Sequence, residues 1–432
     1  MTNEMKPSGI AWIGDIPASW EVKRLKYLGT ARNGLTYAPE DVHDDGVLVL
    51  RSSNIQNNAL AFDDNVYVQM RIPSELVLQE DDLLICSRNG SRDLIGKCAL
   101  IDKQMAGNTY GAFMCVFRSK YNKFIHYVML SHIFSFYLDR YLTSTINQLT
   151  NANLNDITIP IPPDMKEQQR IVAFLDDRCS QIDSIVADME RQVEILQKYK
   201  KALITETVTK GLDKSVPMKN SGIDWIGEVP KHWDLKKLKL LATFHNGDRG
   251  ENYPLSTEIV SEGIPFINAG HLTDGRVPLD NMDFITPDKY KFMGGVKLRR
   301  NDILYCLRGS IGKNAIVDFD EGTVASSLVA IRCFACVPKY AFYCLNSVLD
   351  DEQRFFYDNG TAQPNLAADS LRKFRITYPP IEEQKAIANW LDAKCAETDA
   401  LIAEKQRSID TMRQYKKSLI YEYVTGKKRV TH

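Results

Sequence analysis

Two hydrophobic rhythms run along the chain, and each occurs twice. In the first, apolar side chains recur every seven residues at Leu175, Ile182, Met189, Leu196 and Leu203, with Ile171, Ile185, Val186, Val193 and Tyr199 on flanking positions of the same face. A seven-residue period marks an α-helix whose stripe packs against another helix. Pro162-Pro163 blocks helix upstream, Asp164 with Glu167 three residues later suits a capping box, and Gly211 supplies a stop, so the pattern predicts a helix that starts near 164. At roughly 45 residues it would be about 70 Å long, more than one globular domain covers, so its stripe requires a helical partner. Leu391, Leu401, Ile402, Ile409, Met412 and Leu419 repeat the stripe, with Thr398 and Lys405 where the first copy has Ile182 and Met189, and Gly426 ends it. The short connection after Leu212 favours antiparallel pairing of the two helices.

The second rhythm is a series of short apolar runs at 47–50, 83–86 and 112–117, with counterparts at 264–267, 303–306 and 327–331, separated by Gly, Asn and Asp. These read as strands. Helical spacing follows at 124–142 and 340–356, so each half predicts a mixed α/β body with its own core.

The residues themselves confirm that the chain is written twice. Ser8-Gly9-Ile10-Ala11-Trp12-Ile13-Gly14-Asp15-Ile16-Pro17 returns as Ser221-Gly222-Ile223-Asp224-Trp225-Ile226-Gly227-Glu228-Val229-Pro230, and each copy then reaches a second tryptophan, Trp20 or Trp233. Asn33-Gly34 matches Asn246-Gly247, Asp82-Leu83-Leu84-Ile85-Cys86 matches Asp302-Ile303-Leu304-Tyr305-Cys306, and Arg88 matches Arg308. The helices agree best: Pro162-Pro163, Glu167-Gln168, Leu175-Asp176, Cys179, Asp183 and Tyr199-Lys200-Lys201 stand against Pro379-Pro380, Glu383-Gln384, Leu391-Asp392, Cys395, Asp399 and Tyr415-Lys416-Lys417.

Composition narrows the classes. A chain of 432 residues with 44% hydrophobic residues is globular and too long for one ordinary core. It has no apolar run of about 18 residues and a polar start, which predicts a protein neither spanning a membrane nor secreted, and nine irregularly spaced cysteines suggest reduced thiols and a cytoplasmic location. A formal net charge of -1 means that a polyanion would have to be met by local patches.

Candidate chemistry lies in the loops of the bodies. Arg51-Ser52-Ser53-Asn54 stands where Asn268-Ala269-Gly270-His271 stands in the second copy, so similar scaffolds carry different polar side chains. Base edges are read by such side chains, and Lys or Arg holds phosphates. The loop of Arg88, Asn89, Gly90, Ser91 and Arg92, followed by Lys97, and its partner Arg308, Gly309 and Ser310, followed by Lys313, combine a guanidinium suited to guanine or phosphate with glycine that permits close approach. The amides of Asn147, Gln148, Asn151 and Asn153, and of Gln363 and Asn365, suit adenine, although capping the junction of body and helix is their simpler role. Candidate DNA contacts are therefore Arg51, Ser53, Asn54, Arg88, Asn89, Arg92, Lys97, Asn268, His271, Arg308, Ser310, Lys313, Gln363 and Asn365, with no catalytic and no metal residue. Gly90 to Lys97 has the wrong glycine spacing for a phosphate loop, Ile161-Pro162-Pro163-Asp164 lacks the residues of an amino-methyltransferase, and Cys333 with Cys336 is a single CxxC without a second pair.

In order, duplication and spacing, these elements resemble the specificity (S) subunit of type I restriction-modification systems over essentially the whole chain. The residues that carry the resemblance are Trp20-Glu21-Val22-Lys23-Arg24-Leu25, Trp233-Asp234-Leu235-Lys236-Lys237-Leu238, and the Pro-Pro, Glu-Gln, Leu-Asp, Ile-Asp or Thr-Asp and Tyr-Lys-Lys-x-Leu-Ile elements of both helices. The resemblance implies an α/β chain with mixed α+β target recognition domains and two long antiparallel coiled-coil helices, internally duplicated with pseudo-twofold architecture. The recognition domains would occupy 1–160 and 213–377, the conserved helices 161–212 and 378–427, and a tail 428–432. Each domain would read one half of a split asymmetric double-stranded DNA target, while the helices measure the spacer and dock the partners. Those partners would be two methyltransferase (M) subunits using S-adenosylmethionine and translocase-nuclease (R) subunits using ATP and Mg2+, with no cofactor or catalysis in this chain. A coiled-coil adaptor joining two protein partners is the reading from another class.

Overall fold

A computed structural model describes residues 4–142, 147–248, 253–357 and 366–430, and both long amphipathic stretches are single helices, Met165–Lys210 and Ile381–Val424. The first starts as the proline pair requires, but its cap is not a capping box. Asp164 alone closes the turn, its Oδ1 accepting from Lys166 N at 3.0 Å, while Glu167 turns away to accept from the Trp20 indole at 3.1 Å. The helical stretches of the bodies also break where one was expected. Asn122–Met129 and His132–Tyr141 are separated by Ser131, which caps the second through Ile133 N at 3.2 Å, and Pro338–Cys344 is followed by a separate Val348–Tyr357.

The chain forms two compact units, one of residues 1–189 with 407–432 and one of residues 190–406. In the first, Cys98–Leu100, Leu83–Cys86, Met114–Arg118 and Thr30–Asn33 make an antiparallel sheet in that order. A second sheet runs Thr109–Tyr110, Val47–Leu50, Tyr67–Val68, Val42–His43, with the first pair parallel. The other unit repeats the design. Ala242–Asn246, Leu328–Cys333, Ile303–Cys306 and Asn314–Ile316 form its antiparallel sheet, and Ile259–Val260, Phe284–Ile285, Ile264–Ile267 and Thr323–Val324 its mixed one. The strands buried between layers are continuous apolar runs, as fully covered strands must be.

Each antiparallel sheet is pinned by an ion pair whose carboxylate is buried and whose arginine is half-buried. Asp82 accepts from Arg118 Nε at 2.7 Å and Nη2 at 2.6 Å, and Asp302 accepts from Arg332 Nε at 2.8 Å and Nη2 at 2.7 Å. Both carboxylates also take a turn amide, from Gln79 and Arg299. A bidentate guanidinium with further donors compensates a carboxylate for the water it loses.

Each unit takes the first turns of one long helix and the last turns of the other. In the first unit the Phe174 and Tyr423 rings lie 4.4 Å apart and Lys416 Nζ reaches Asp183 at 2.6 Å, so the helix segments run antiparallel. In the second, Ile204 and Val208 join the core of Trp233, Ile387, Leu391 and Cys395, and Lys200 Nζ reaches Asp399 at 2.6 Å. Leu175, Ile182, Leu391, Ile409 and Leu419 are buried, while Met189, Leu196, Leu203, Ile402 and Met412 are half-buried. Ile185, Tyr199 and Leu401 face out instead, because a 3.6-residue turn drifts off a seven-residue register. Thr398 is buried where an aliphatic residue would stand, its hydroxyl donating to Lys394 O of its own helix at 2.9 Å.

Both helices end on a left-handed glycine lodged against a tryptophan. Gly211 has φ +74° and a Cβ there would lie 3.1 Å from Trp233; Gly426 has φ +70° and a Cβ would lie 2.4 Å from Pro17. Alanine at either position should therefore cost about 1–3 kcal/mol, more at Gly426, as measured by urea unfolding. A second expectation concerns His126, whose ring is buried with no partner for Nε2; burial pulls it down to about 4, beside Asp176 and Lys416. The folded state holds this imidazole neutral while the unfolded chain titrates near its ordinary value, so stability is full above that value and is lost as pH falls toward 4. Between pH 7.5 and 5 the loss should be about 2 kcal/mol, and His126→Leu should remove that share of the acid sensitivity.

Candidate nucleic-acid interface

The repeated helix motifs prove to be joints that fix each body to its helix. Glu167 accepts from Trp20 Nε1, and Glu383 accepts from Trp233 Nε1 at 2.9 Å. Gln168 and Gln384, both buried, donate to Pro162 O at 2.7 Å and Pro379 O at 2.8 Å. Asp176 and Asp392 accept from Tyr127 and Tyr343 hydroxyls at 2.5 and 2.7 Å. The glutamines close the start of each helix locally, whereas the Trp–Glu and Tyr–Asp partners lie 49 to 150 positions apart, so these two bonds tie each body to its helix.

Held in this way, each body presents the same pair of neighbouring loops. The first is a 3-10 turn, Ser52–Asn54 in one body and Ala269–His271 in the other. The turn is closed by one hydrogen bond with different chemistry: Asn54 Oδ1 accepts from Arg51 N at 2.9 Å, and His271 Nδ1 accepts from Asn268 N at 3.2 Å. The second loop follows the buried strand that ends at Cys86 or Cys306. Asn89 Nδ2 reaches Ser52 Oγ at 3.2 Å, and Lys313 Nζ reaches Ala269 O at 3.0 Å, so the loops are tied side by side in both bodies.

This packing sorts the sequence-derived candidates. Asn54 is not open to a base: it is fully buried, and its amide donates to Ala61 O, Asp64 O and Asn65 Oδ1. Asn89, Asn268 and His271 likewise spend polar atoms on their own loops, Asn268 donating to Asp283 and accepting from Gly270 N at 2.8 Å. Arg51 pairs with Asp64 at 2.7 Å, and hydrogen bonds from Ser53 and Arg51 hold the Asp64 carboxyl below the usual carboxylate range. Arg92 pairs with Asp139 at 3.3 Å and Lys97 is half-buried. Arg88, Arg308 and Ser310 are exposed, and neither arginine has a carboxylate partner among the described residues. Gln363 and Asn365 lie outside the described residues.

Sequence reasoning missed one neighbour. Phe113, read as part of an apolar strand, is 59% exposed, and the Arg88 guanidinium sits over its ring at 5.3 Å. Gln148 bridges Arg88 through the backbone, while Thr150 caps the short helix Asn151–Asp156 by accepting from Asn153 N at 3.1 Å. The capping role assigned to this segment is thus carried by Thr150.

Cysteine chemistry is silent. Burial pushes Cys86 up to about 11 and Cys98 to about 12, and the Cys336 thiol with burial raises Cys333, so these three are not poised as thiolates. Among the described residues no three His, Cys, Asp or Glu side chains converge as a metal site requires, and no helix is long and apolar enough to cross a membrane.

Against known proteins, the family model described as "Type I restriction modification DNA specificity domain" matches twice, at residues 17–202 and 230–411. The putative type I restriction enzyme MjaX specificity subunit of Methanocaldococcus jannaschii is 28% identical, covering 97% of this chain and 96% of its own. The type I restriction enzyme EcoKI specificity subunit of Escherichia coli is 22% identical, covering 96% and 90%. A solved chain from work on complex assembly and conformational transition of the type I R-M system superposes with a TM-score of 0.68 at 16% identity, covering 96% of this chain and 99% of that one.

The division between loop-building and open side chains has a measurable outcome. Asn54→Ala should lower stability by about 1–3 kcal/mol, the cost of orphaned buried partners, whereas Arg88→Ala should leave thermal unfolding within about 0.5 kcal/mol of the parent.

Proposed function

Because the chain belongs to the type I restriction-modification DNA specificity family, and is therefore a non-catalytic DNA sequence-recognition subunit, we propose how its parts divide that task. The bodies at 1–160 and 213–377 each read one half of a bipartite asymmetric target in double-stranded DNA. The helices at 161–212 and 378–427 set the spacer between the halves and dock two methyltransferase subunits. Translocase-nuclease subunits complete the assembly, S-adenosylmethionine, ATP and Mg2+ belong to those partners, and the complex works in the cytoplasm.

The observation that carries this reading is the repeated loop pair with its exposed arginine, Arg88 in one body and Arg308 in the other. A guanidinium free of carboxylates reads guanine O6 and N7 bidentately or holds phosphate. Different residues around equal scaffolds suit two unequal half-sites. The near-zero net charge supports weak binding by the chain alone, with partners supplying phosphate contacts.

Methylome sequencing of cells carrying the chain with its methyltransferase partner tests the division directly. Replacing residues 1–160 with the body of another family member should change one half-site and keep the other; a change in both would refute it. Lengthening both helices by two turns adds about 10 Å, near three base-pair steps, and should alter only the spacer. Equal methylation of unrelated duplexes would instead favour an adaptor without sequence reading.

A further inference from the structure

The bodies repeat the exposed arginine but not what stands beside it. In the first body, Ser87 N, Arg88 N and Ser87 Oγ all donate to Phe113 O, at 3.0, 3.0 and 2.9 Å. The turn that carries Phe113 is closed by Met114 N donating to Gly111 O at 2.8 Å, and Gly111 N is tied to Leu50 O at 3.0 Å. Leu149 N donates to Ser87 O at 2.8 Å on the other side. The backbone under Phe113 is therefore fixed, yet its ring is 59% exposed and lies 5.3 Å from the Arg88 guanidinium. Strand register puts Ser327 at the same place in the second body, where its carbonyl accepts from Leu307 N at 2.9 Å. Arg308 thus has the backbone frame without the ring.

We propose that Phe113 is a specificity-determining residue of the first body, which holds Arg88 in position to read a guanine and contacts the methyl group of an adjacent thymine. The proposal rests on the reading that this body recognises one half-site. A long, exposed arginine loses rotamer freedom when it binds; a ring already stacked under the guanidinium removes part of that loss and leaves the outer N–H edge for guanine O6 and N7. The uncovered part of the ring is apolar and adjoins the same position, and the one apolar group that a base presents in the major groove is the thymine methyl. Serine at 327 offers neither effect, so the two half-sites should differ in how strictly their arginine-read position is enforced.

The test uses the full chain assembled with its methyltransferase subunits, scoring methylation of duplexes with single substitutions in each half-site. With the parent chain, replacing one particular thymine of the first half-site by uracil should lower methylation about tenfold, the scale of one methyl contact. Phe113→Ala should abolish that dependence and relax the neighbouring guanine, with discrimination in the second half-site unchanged as an internal control. Phe113→Leu should keep the thymine dependence but relax the guanine, because it retains apolar contact and loses the ring under Arg88. No sensitivity to any uracil, or loss of discrimination in both half-sites together, would overturn the proposal. If Phe113→Ala changes nothing while Arg88→Ala relaxes a guanine, the role of Phe113 fails and the half-site reading stands. If Arg88→Ala also leaves the first half-site intact, the assignment of this loop to recognition fails with it.

Discussion

A helix of 46 residues with an apolar stripe cannot cover that stripe alone, and this constraint organises the molecule. The stripe is satisfied piecewise: each compact unit uses the opening turns of one helix and the closing turns of the other, together with its own sheets. The lysine-aspartate pairs at 183 with 416 and 200 with 399 contribute little energy at exposed positions, but as opposite charges set between the apolar contacts they disfavour a shifted register.

The joints explain why the most faithfully repeated residues are those of the helices. A Trp–Glu bond, a Gln that reaches back to a proline carbonyl, and a Tyr–Asp bond recur in both copies, the first and last tying the body to its helix and the second closing the helix start. The paired loops of the two bodies share only the frame. One turn is closed by an asparagine and its equivalent by a histidine, which shows how far the side chains diverge while the backbone is preserved.

The sequence made the duplication, the helices and the main strands legible because each is a periodic or repeated signal. It singles out Arg88 and Arg308 through their pairing, and both are exposed, but it does not reveal that Asn54 is buried, because the groups that consume its amide lie seven to eleven positions away on a loop with no pattern of its own. Glu167 has the spacing of a capping residue, but its partner in the fold, Trp20, stands 147 residues earlier, beyond the reach of local pattern. Phe113 was lost for the opposite reason. It adjoins the buried Met114 in an unbroken apolar run, and only the turn at 111–114 decides that one ring faces inward and the other out.

The interleaving of the units also sets an order of birth. Residues 190–406 are all made before residue 407 leaves the ribosome, so the body encoded second has its complete set of partners first. The body encoded first lacks Ile420 and Val424, both buried in the folded protein, until more than 200 further residues have been made after residue 189. At ordinary synthesis rates that interval is on the order of tens of seconds. During it the Trp20 side of the body has no helix end to receive it, which makes the N-terminal half the part of the nascent chain most in need of protection.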